Sequence, residues 1–256
     1  MPNLILIFIL ALLVGSFLNV CIYRIPINKS IAFPPSHCTN CKTKLRPKDL
    51  IPVLSYLFYK GKCKYCGEKI SLQYPFIELL NGIIYILVFI SFGYSIDSLF
   101  NFILGSLLIV ISGIDYKYKI IPNGIVLFGL LISIGYRFIF PLALGLEASF
   151  FNSILGFLIG GGFFLLIAIV SNGGMGGGDI KLMGMLGLYL GIQKIIMVTL
   201  LSFFIAAFFS IPLLLLKKKS RKETIPFGPF IGISVLITML YYNPILEVYL
   251  KWFYYF

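Results

Sequence analysis

Two aspartates lie where an apolar chain gives little support to a charge. Asp179 follows three glycines and opens an apolar segment, and Asp115 ends another apolar segment. A carboxylate at a membrane span is a functional-site hypothesis by default, because hydrocarbon solvates a charge poorly. Glycines permit backbone angles and close approaches that other residues resist. We therefore take the two aspartates as candidate catalytic residues, supported by Gly176 and Gly178.

A pair of carboxylates suits the hydrolysis of an amide bond. Two carboxylates a few ångströms apart share a proton, so one activates water while the other polarises a carbonyl. A helix N-terminus favours an anion, so our hypothesis makes Asp179, with Lys181 close in sequence, the resting base and Asp115 the resting acid. The alternative is that each aspartate only caps a helix and that the glycines form a flexible loop. Glu78 is a further supporting candidate, and its alternative is a carboxylate paired with a loop lysine.

Four cysteines form two C-x-x-C pairs with 21 residues between them. This spacing is typical of a tetrahedral Zn²⁺ site with four thiolates. The loop that carries them is too short to bury much core, so a structural metal would hold it together. The alternative is four free thiols on a basic loop. The candidate ligands are Cys38, Cys41, Cys63 and Cys66.

The composition is that of a polytopic membrane protein. Of the 256 residues 59% are hydrophobic, and the mean hydropathy is +1.00. We predict an all-α fold with about eight transmembrane helices and a small cytoplasmic zinc-binding loop domain between the first two. The predicted domains are a first helix at 1–22, the loop domain at 23–73 and a transmembrane domain of about seven helices at 74–256, which contains both aspartates and which the family resemblance described below makes the peptidase domain. The predicted spans are 2–22, 74–92, 98–114, 122–141, 150–170, 180–192, 194–216 and 227–247.

The basic residues predict the orientation of the chain. The net charge is +12, and with the 23–73 loop inside, eighteen of the Lys and Arg residues fall on the cytoplasmic side and three on the other. Positive-inside topology explains this charge better than nucleic-acid binding does. It places both termini outside and both aspartates at the cytoplasmic face. The loop lysines are then expected to face anionic lipid head groups.

Several motifs in order resemble those of one family. Together they resemble the bacterial type IV prepilin leader peptidases, an A24 class of G-x-G-D aspartic peptidases, over nearly the whole chain. The motifs are Gly15–Val20, Tyr23–Pro26, the two C-x-x-C pairs, Tyr74–Pro75 with Glu78, Asp115, the G-x-G-D sequence Gly176–Asp179, and Pro226–Phe230.

The resemblance implies a bifunctional enzyme of the bacterial inner membrane. Such an enzyme removes the basic leader of a type IV prepilin or pseudopilin helix at the cytoplasmic face. It then N-methylates the new N-terminus with S-adenosylmethionine. The resemblance assigns the protease to Asp115 and Asp179, and ties the cysteine loop, with Gly61 and Lys62, to methyl transfer. The chain has no Rossmann-type glycine fingerprint, so the methyltransferase expectation rests on the resemblance alone.

Two other readings of the sequence stay open at this point. One is a G-x-G-D peptidase without methyltransferase activity. The other is a non-enzymatic transporter that uses Asp115 and Asp179 as ligands near the membrane midplane. Against a transporter, both aspartates are predicted at one face. For Pro226–Pro229 we expect a helix-start turn with aromatic packing rather than a wall for the substrate.

Overall fold

The computed structural model describes residues 2–144, 150–215 and 225–254. In these residues the chain forms ten α-helices, two short 3-10 helices and one π-helical turn. Five of the eighteen basic residues predicted to be cytoplasmic, those in the segment 217–222, lie outside the described residues. The helices are α1 (Pro2–Arg24), α2 (Leu54–Phe58), α3 (Gln73–Phe92), α4 (Ile96–Tyr118), α5 (Asn123–Ile134), α6 (Phe140–Ala143), α7 (Phe150–Val170), α8 (Gly177–Leu190), α9 (Ile192–Leu215) and α10 (Gly228–Tyr254).

Seven described helices are long and apolar enough to cross a membrane, so the chain is an all-α multi-pass membrane protein. The cysteine loop lies between the first two of them, as predicted. Eight spans were predicted, and the one that is not among these seven helices is the span predicted at 180–192, which corresponds to α8. With 14 residues α8 is about 21 Å long, shorter than a hydrocarbon core of about 30 Å. Gly191 ends α8 with a φ of +79°, and the Asn152 side chain accepts the N–H of Ile192 at 2.9 Å.

The first compact unit, Met1–Ile114, is built on close packing of α1 against α3. A Cβ at Gly15 would lie 2.7 Å from Cα of Glu78, so the two helices approach as only glycine allows. Asn81 of α3 donates to the carbonyl of Ala11 in α1 at 2.7 Å. A buried amide in a membrane span needs such a partner, because lipid offers none.

The loop between α1 and α3 is organised by polar contacts. The Asp49 side chain is only 4% exposed. It accepts the backbone N–H of Arg46 at 3.0 Å and the hydroxyl groups of Tyr65 at 2.8 Å and Tyr59 at 3.2 Å. The hydrogen bond from the Arg46 backbone, followed by that from Tyr65, lowers the pKa of Asp49. A carboxylate with a buried side chain thus organises a segment that is too short for a large apolar core.

The second compact unit, Asp115–Phe256, has α8 at its centre. Every residue of α8 from Leu182 to Leu190 is buried. The helix crosses α7 in direct backbone contact, since a Cβ at Gly156 would strike the carbonyl oxygen of Gly187. One turn away, a Cβ at Gly160 would lie 2.5 Å from the carbonyl oxygen of Met183. Small residues four apart on α7 allow this crossing, and it fixes the position of the first turn of α8.

Candidate active site and metal centre

Asp115 lies in the last turn of α4 and is held by the start of α10. Asp115 is 6% exposed, and its Oδ2 accepts the backbone N–H of Gly228 at 2.7 Å. Gly228 is the first residue of α10, where backbone N–H groups lack helical partners and the helix dipole is positive. The N-terminus of α10 therefore favours Asp115 as an anion.

The segment around Gly228 has two roles. A Cβ at Gly228 would lie 2.8 Å from Oδ2 of Asp115, so only glycine leaves room for this hydrogen bond. The ring of Phe227 packs at 5.4 Å from Phe203 and 5.9 Å from Phe164. The aromatic packing was expected from the sequence, but the hydrogen bond to Asp115 was not.

Asp179 is the third residue of α8. A Cβ at Gly176 would lie 2.8 Å from its Oδ2, so this glycine leaves space for the carboxylate. Among the described residues, Oδ1 of Asp179 is buried without a hydrogen-bond partner. A buried polar atom without a partner is unfavourable and calls for an explanation. This oxygen can exchange a hydrogen bond with a substrate or a water molecule.

Two contacts hold the first turn of α8 against the chain that leaves Asp115. A Cβ at Gly178 would lie 2.8 Å from Cβ of Ile121, which is six residues after Asp115. The Lys181 amino group donates to Oδ1 of Asn123 at 2.9 Å. Gly178 and Lys181 therefore help to position α8 against the connection between α4 and α5.

The structure brings the two candidate carboxylates together in the second unit. Asp115 and Asp179 are close enough for their charges to interact. A Cβ at Gly177 would meet nothing within 4 Å, whereas one at Gly176 or Gly178 would meet an atom at 2.8 Å. The G-x-G-D pattern thus has a steric basis: two crowded positions flank an open one.

The four loop cysteines also meet. Their Sγ atoms all lie within 4.8 Å of one another, and those of Cys38 and Cys66 are 3.8 Å apart. Zn–S bonds of about 2.3 Å in a tetrahedron place sulfur atoms about 3.8 Å apart, so the cluster fits this ion. The hydrogen bond between Cys41 and Thr43 lowers the pKa of the Cys41 thiol to about 6. A thiolate is the form that binds metal.

The same type of backbone turn occurs in both cysteine pairs. Lys42 N–H donates to the carbonyl of Cys38 at 3.0 Å, and Gly67 N–H to that of Cys63 at 2.9 Å. Both donors have positive φ, +59° at Lys42 and +74° at Gly67. Each cysteine pair thus has the same backbone turn after its first cysteine.

Comparison with known proteins identifies the family. The profile described as Bacterial Peptidase A24 N-terminal domain matches residues 9–92, and the profile described as Type IV leader peptidase family matches residues 102–211. A protein of Bacillus subtilis (strain 168) named prepilin leader peptidase/N-methyltransferase is 36% identical over 246 residues, which cover 96% of this chain and 97% of the relative. The chain belongs to the prepilin leader peptidase/N-methyltransferase family.

Two further relatives carry the same name. The protein of Pseudomonas putida is 31% identical over 256 residues, covering 91% of this chain and 88% of the relative. The protein of Pseudomonas aeruginosa (strain PAO1) is 30% identical over 267 residues, covering 95% and 92%. No solved structure shows a significant match.

The other candidate residues of this family member lie in the first unit. Gly61 has a φ of +68°, and a Cβ there would lie 2.8 Å from Oη of Tyr56. Lys62 pairs through its backbone with Lys69 in an isolated antiparallel bridge. Glu78 is 6% exposed, and its Oε2 accepts the backbone N–H of the loop residue Val53 rather than a lysine.

Sequence reasoning missed two residues of this prepilin peptidase family member. Gly228 is 113 positions from Asp115, and nothing in its local sequence names an acceptor for its N–H. In the sequence Val53 is an ordinary apolar residue of the loop, yet its backbone N–H donates to the Glu78 carboxylate. For Gly228, the one available signal was its position between Pro226 and Pro229.

Proposed function

We propose that the chain is a membrane-embedded aspartic peptidase that cleaves the basic leader of type IV prepilins or pseudopilins. It then N-methylates the new N-terminus with S-adenosylmethionine. The observation that carries the peptidase is the carboxylate pair, Asp115 bound by the start of α10 and Asp179 with an unpaired buried oxygen. The names of the relatives supply the substrate class and the second reaction. In this proposal residues 74–256 carry the peptidase and residues 23–73 serve methyl transfer.

The contacts favour roles opposite to those expected from the sequence. Asp115 lies at a helix C-terminus, but the N–H of Gly228 from a distant helix stabilises it as an anion. Asp115 takes a proton from water as the water oxygen attacks the scissile carbonyl carbon. Asp179 gives its proton to the carbonyl oxygen. When the tetrahedral intermediate collapses and the C–N bond breaks, the leaving amine takes the proton held by Asp115. One of the two hydroxyl groups of the intermediate returns its proton to Asp179 as the carbonyl re-forms, so the pair regains its starting state.

Infrared spectroscopy tests this assignment of the shared proton. We expect the protonated-carboxyl band near neutral pH to persist in Asp115→Asn and to disappear in Asp179→Asn. The reverse pattern would restore the assignment made from the sequence.

Co-expression with a prepilin tests the peptidase itself. We expect Asp115→Asn and Asp179→Asn each to leave the leader uncleaved on a gel, because removal of either carboxyl group breaks the proton exchange. Asp97→Asn is the matched control, since Asp97 is the exposed acidic residue at the other end of α4. Full cleavage by either active-site variant would end the peptidase proposal.

We assign structural Zn²⁺ to Cys38, Cys41, Cys63 and Cys66, on the sulfur spacing given above. The ion would supply a cross-link between the two cysteine turns and would thereby order the loop that contains Gly61 and Lys62. The involvement of these two residues in methyl transfer rests on the family resemblance.

We place the chain in the bacterial inner membrane with the aspartates and the cysteine loop at the cytoplasmic face and both termini outside. The distribution of Lys and Arg supports this orientation. It brings the carboxylate pair to the depth where the polar leader of a pilin meets its apolar helix. The loop lysines would then face anionic lipid head groups.

A peptidase without methyl transfer is the second candidate. The relatives are named for both activities, which favours the bifunctional enzyme. Mass spectrometry of the mature pilin decides between them, because N-methylation adds about 14 Da to the new N-terminus. The transporter reading is not favoured, since both aspartates lie at helix ends and the family is one of peptidases.

A further inference from the structure

Glu78 is a carboxylate of α3 that binds the loop between α1 and α3. Its Oε2 accepts the N–H of Val53 at 2.7 Å. Gly15 lets α1 come within reach, since a Cβ there would overlap the Glu78 backbone. Glu78 is thus packed against α1 through its backbone and bound to the loop through its carboxylate.

The residue that it holds has an unusual backbone. Val53 has φ +60° and ψ −50°, and Leu54 N–H donates to the Pro52 carbonyl at 2.5 Å. This is a γ-turn with positive φ at its centre, a rare and strained conformation, especially for a β-branched residue. Strained backbone persists where the surroundings impose it, and such sites cluster at functional positions. The hydrogen bond to Glu78 joins this turn to α3.

The turn leads directly to the candidate methyltransferase residues. The turn comes directly before α2. The backbone carbonyl of Tyr56 in α2 accepts the N–H of Gly61 at 2.8 Å. The Tyr56 ring also packs against Gly61, and its hydroxyl donates to the Ile70 carbonyl at 3.4 Å. Ile70 N–H donates in turn to the Gly61 carbonyl at 2.8 Å. Gly61 and Lys62 immediately precede the ligand Cys63, so a displaced α2 would displace them together.

We propose that Glu78 is a positioning residue for methyl transfer: it fixes the γ-turn at Val53 and thereby sets Gly61 and Lys62 beside the second cysteine pair. The inference rests on the proposed function in assigning methyl transfer to the loop. It requires Glu78 to act as a hydrogen-bond acceptor and not through its charge. Leader cleavage depends on Asp115 and Asp179 and is expected to be independent of Glu78.

Paired variants of the full-length, zinc-loaded enzyme test the proposal. We expect Glu78→Ala to lower the rate of pilin methylation by about tenfold or more, because misplaced groups lose rate steeply. Cleavage should stay within about twofold of wild type. Glu78→Gln should retain methylation, because its amide oxygen can still accept the Val53 N–H. Val53→Gly should restore methylation in Glu78→Ala, because glycine adopts positive φ without support.

Hydrogen exchange supplies a measurement that does not depend on methylation. The amides of α2 and of Gly61 should exchange faster in Glu78→Ala than in wild type, and at the wild-type rate in Glu78→Gln. If the wild-type enzyme does not methylate pilin at all, the methyltransferase half of the proposed function fails, while exchange still decides the role of Glu78.

Four results would overturn the inference. Equal loss of methylation in Glu78→Gln and Glu78→Ala would show that the charge is required. Equal loss of cleavage and methylation in Glu78→Ala would show a general role in folding. Unchanged exchange in α2 would show that Glu78 does not hold the turn. Zinc content, measured for every variant, should equal that of wild type, and loss of zinc would also contradict positioning.

Discussion

At the scale of single residues, Gly228 is the most constrained position near the carboxylate pair. An alanine Cβ would lie 2.8 Å from Oδ2 of Asp115, closer than real Cβ atoms come, so the carboxylate or α10 must move. We expect Gly228→Ala to lower leader cleavage about 100-fold, the size of effect seen when one oriented donor is lost from an active site. The measurement is the initial rate of prepilin cleavage. Gly124→Ala is the matched control, because Gly124 also lies in the first turn of a helix and has open space around it. Equal rates in the two variants would contradict the role of Gly228.

The glycines before Asp179 make a second prediction at this scale. Gly178→Ala must push aside Ile121 and so shift α8 relative to the connection that leaves Asp115. Gly177→Ala meets nothing within 4 Å. We therefore expect cleavage by Gly177→Ala within about twofold of wild type and a loss of at least about tenfold in Gly178→Ala. A similar loss in both variants would show that backbone freedom, and not space, is the requirement.

At the scale of helices, the crossing of α7 and α8 carries the site. Gly156 and Gly187 touch through their backbones, so a methyl group at either position has no side chain to displace and must separate the helices. We expect Gly156→Ala and Gly187→Ala each to destabilise the protein by at least about 2 kcal/mol, near the middle of the range for overpacking. Thermal unfolding in detergent measures this. Gly162→Ala is the control on the same helix, with nothing within 4 Å of its Cβ, and it should unfold like wild type.

The cysteine loop is the other element with a testable role. Cys63 is buried, and removal of its sulfur leaves three ligands for a four-ligand ion. We expect Cys63→Ser to lose zinc and pilin methylation while leader cleavage persists, because the aspartates lie in the other compact unit. Metal analysis and the mass of the mature pilin measure the two losses. Cys21→Ser is the matched control, since Cys21 is a buried thiol of α1 outside the cluster. Retained zinc in Cys63→Ser would remove the assignment.

At the scale of the whole chain, local sequence patterns predicted the features that depend on residues close together in the sequence. Apolar runs predicted the spans within a few residues at most ends, and cysteine spacing predicted the four-sulfur cluster. The sequence could not predict contacts between distant segments. The short α8 depends on its crossing with α7, the N–H bound to Asp115 comes from Gly228, and the partner of Glu78 is a backbone group at Val53. Each depends on tertiary packing, which leaves no periodic signal.

The short α8 makes the orientation of the C-terminus a test of the whole topology. If α8 completes a crossing, the chain passes the membrane eight times, and the basic segment 217–222 is cytoplasmic, as the positive-inside rule favours. If α8 turns back, seven crossings place that segment outside and the C-terminus inside. A helix of 14 residues can complete a crossing where neighbouring parts of the protein bury it, and α8 is buried from Leu182 to Leu190.

We therefore expect the C-terminus to lie outside. Alkaline phosphatase fused after Phe256 should be active, because it folds only when exported, and green fluorescent protein fused at the same place should be dark. The paired control is insertion of each reporter at residue 220, where the pattern should reverse. A fluorescent C-terminal fusion would show that α8 does not cross, and it would require the positive charge of 217–222 to lie on the outer face against the rule that orients the rest of the chain.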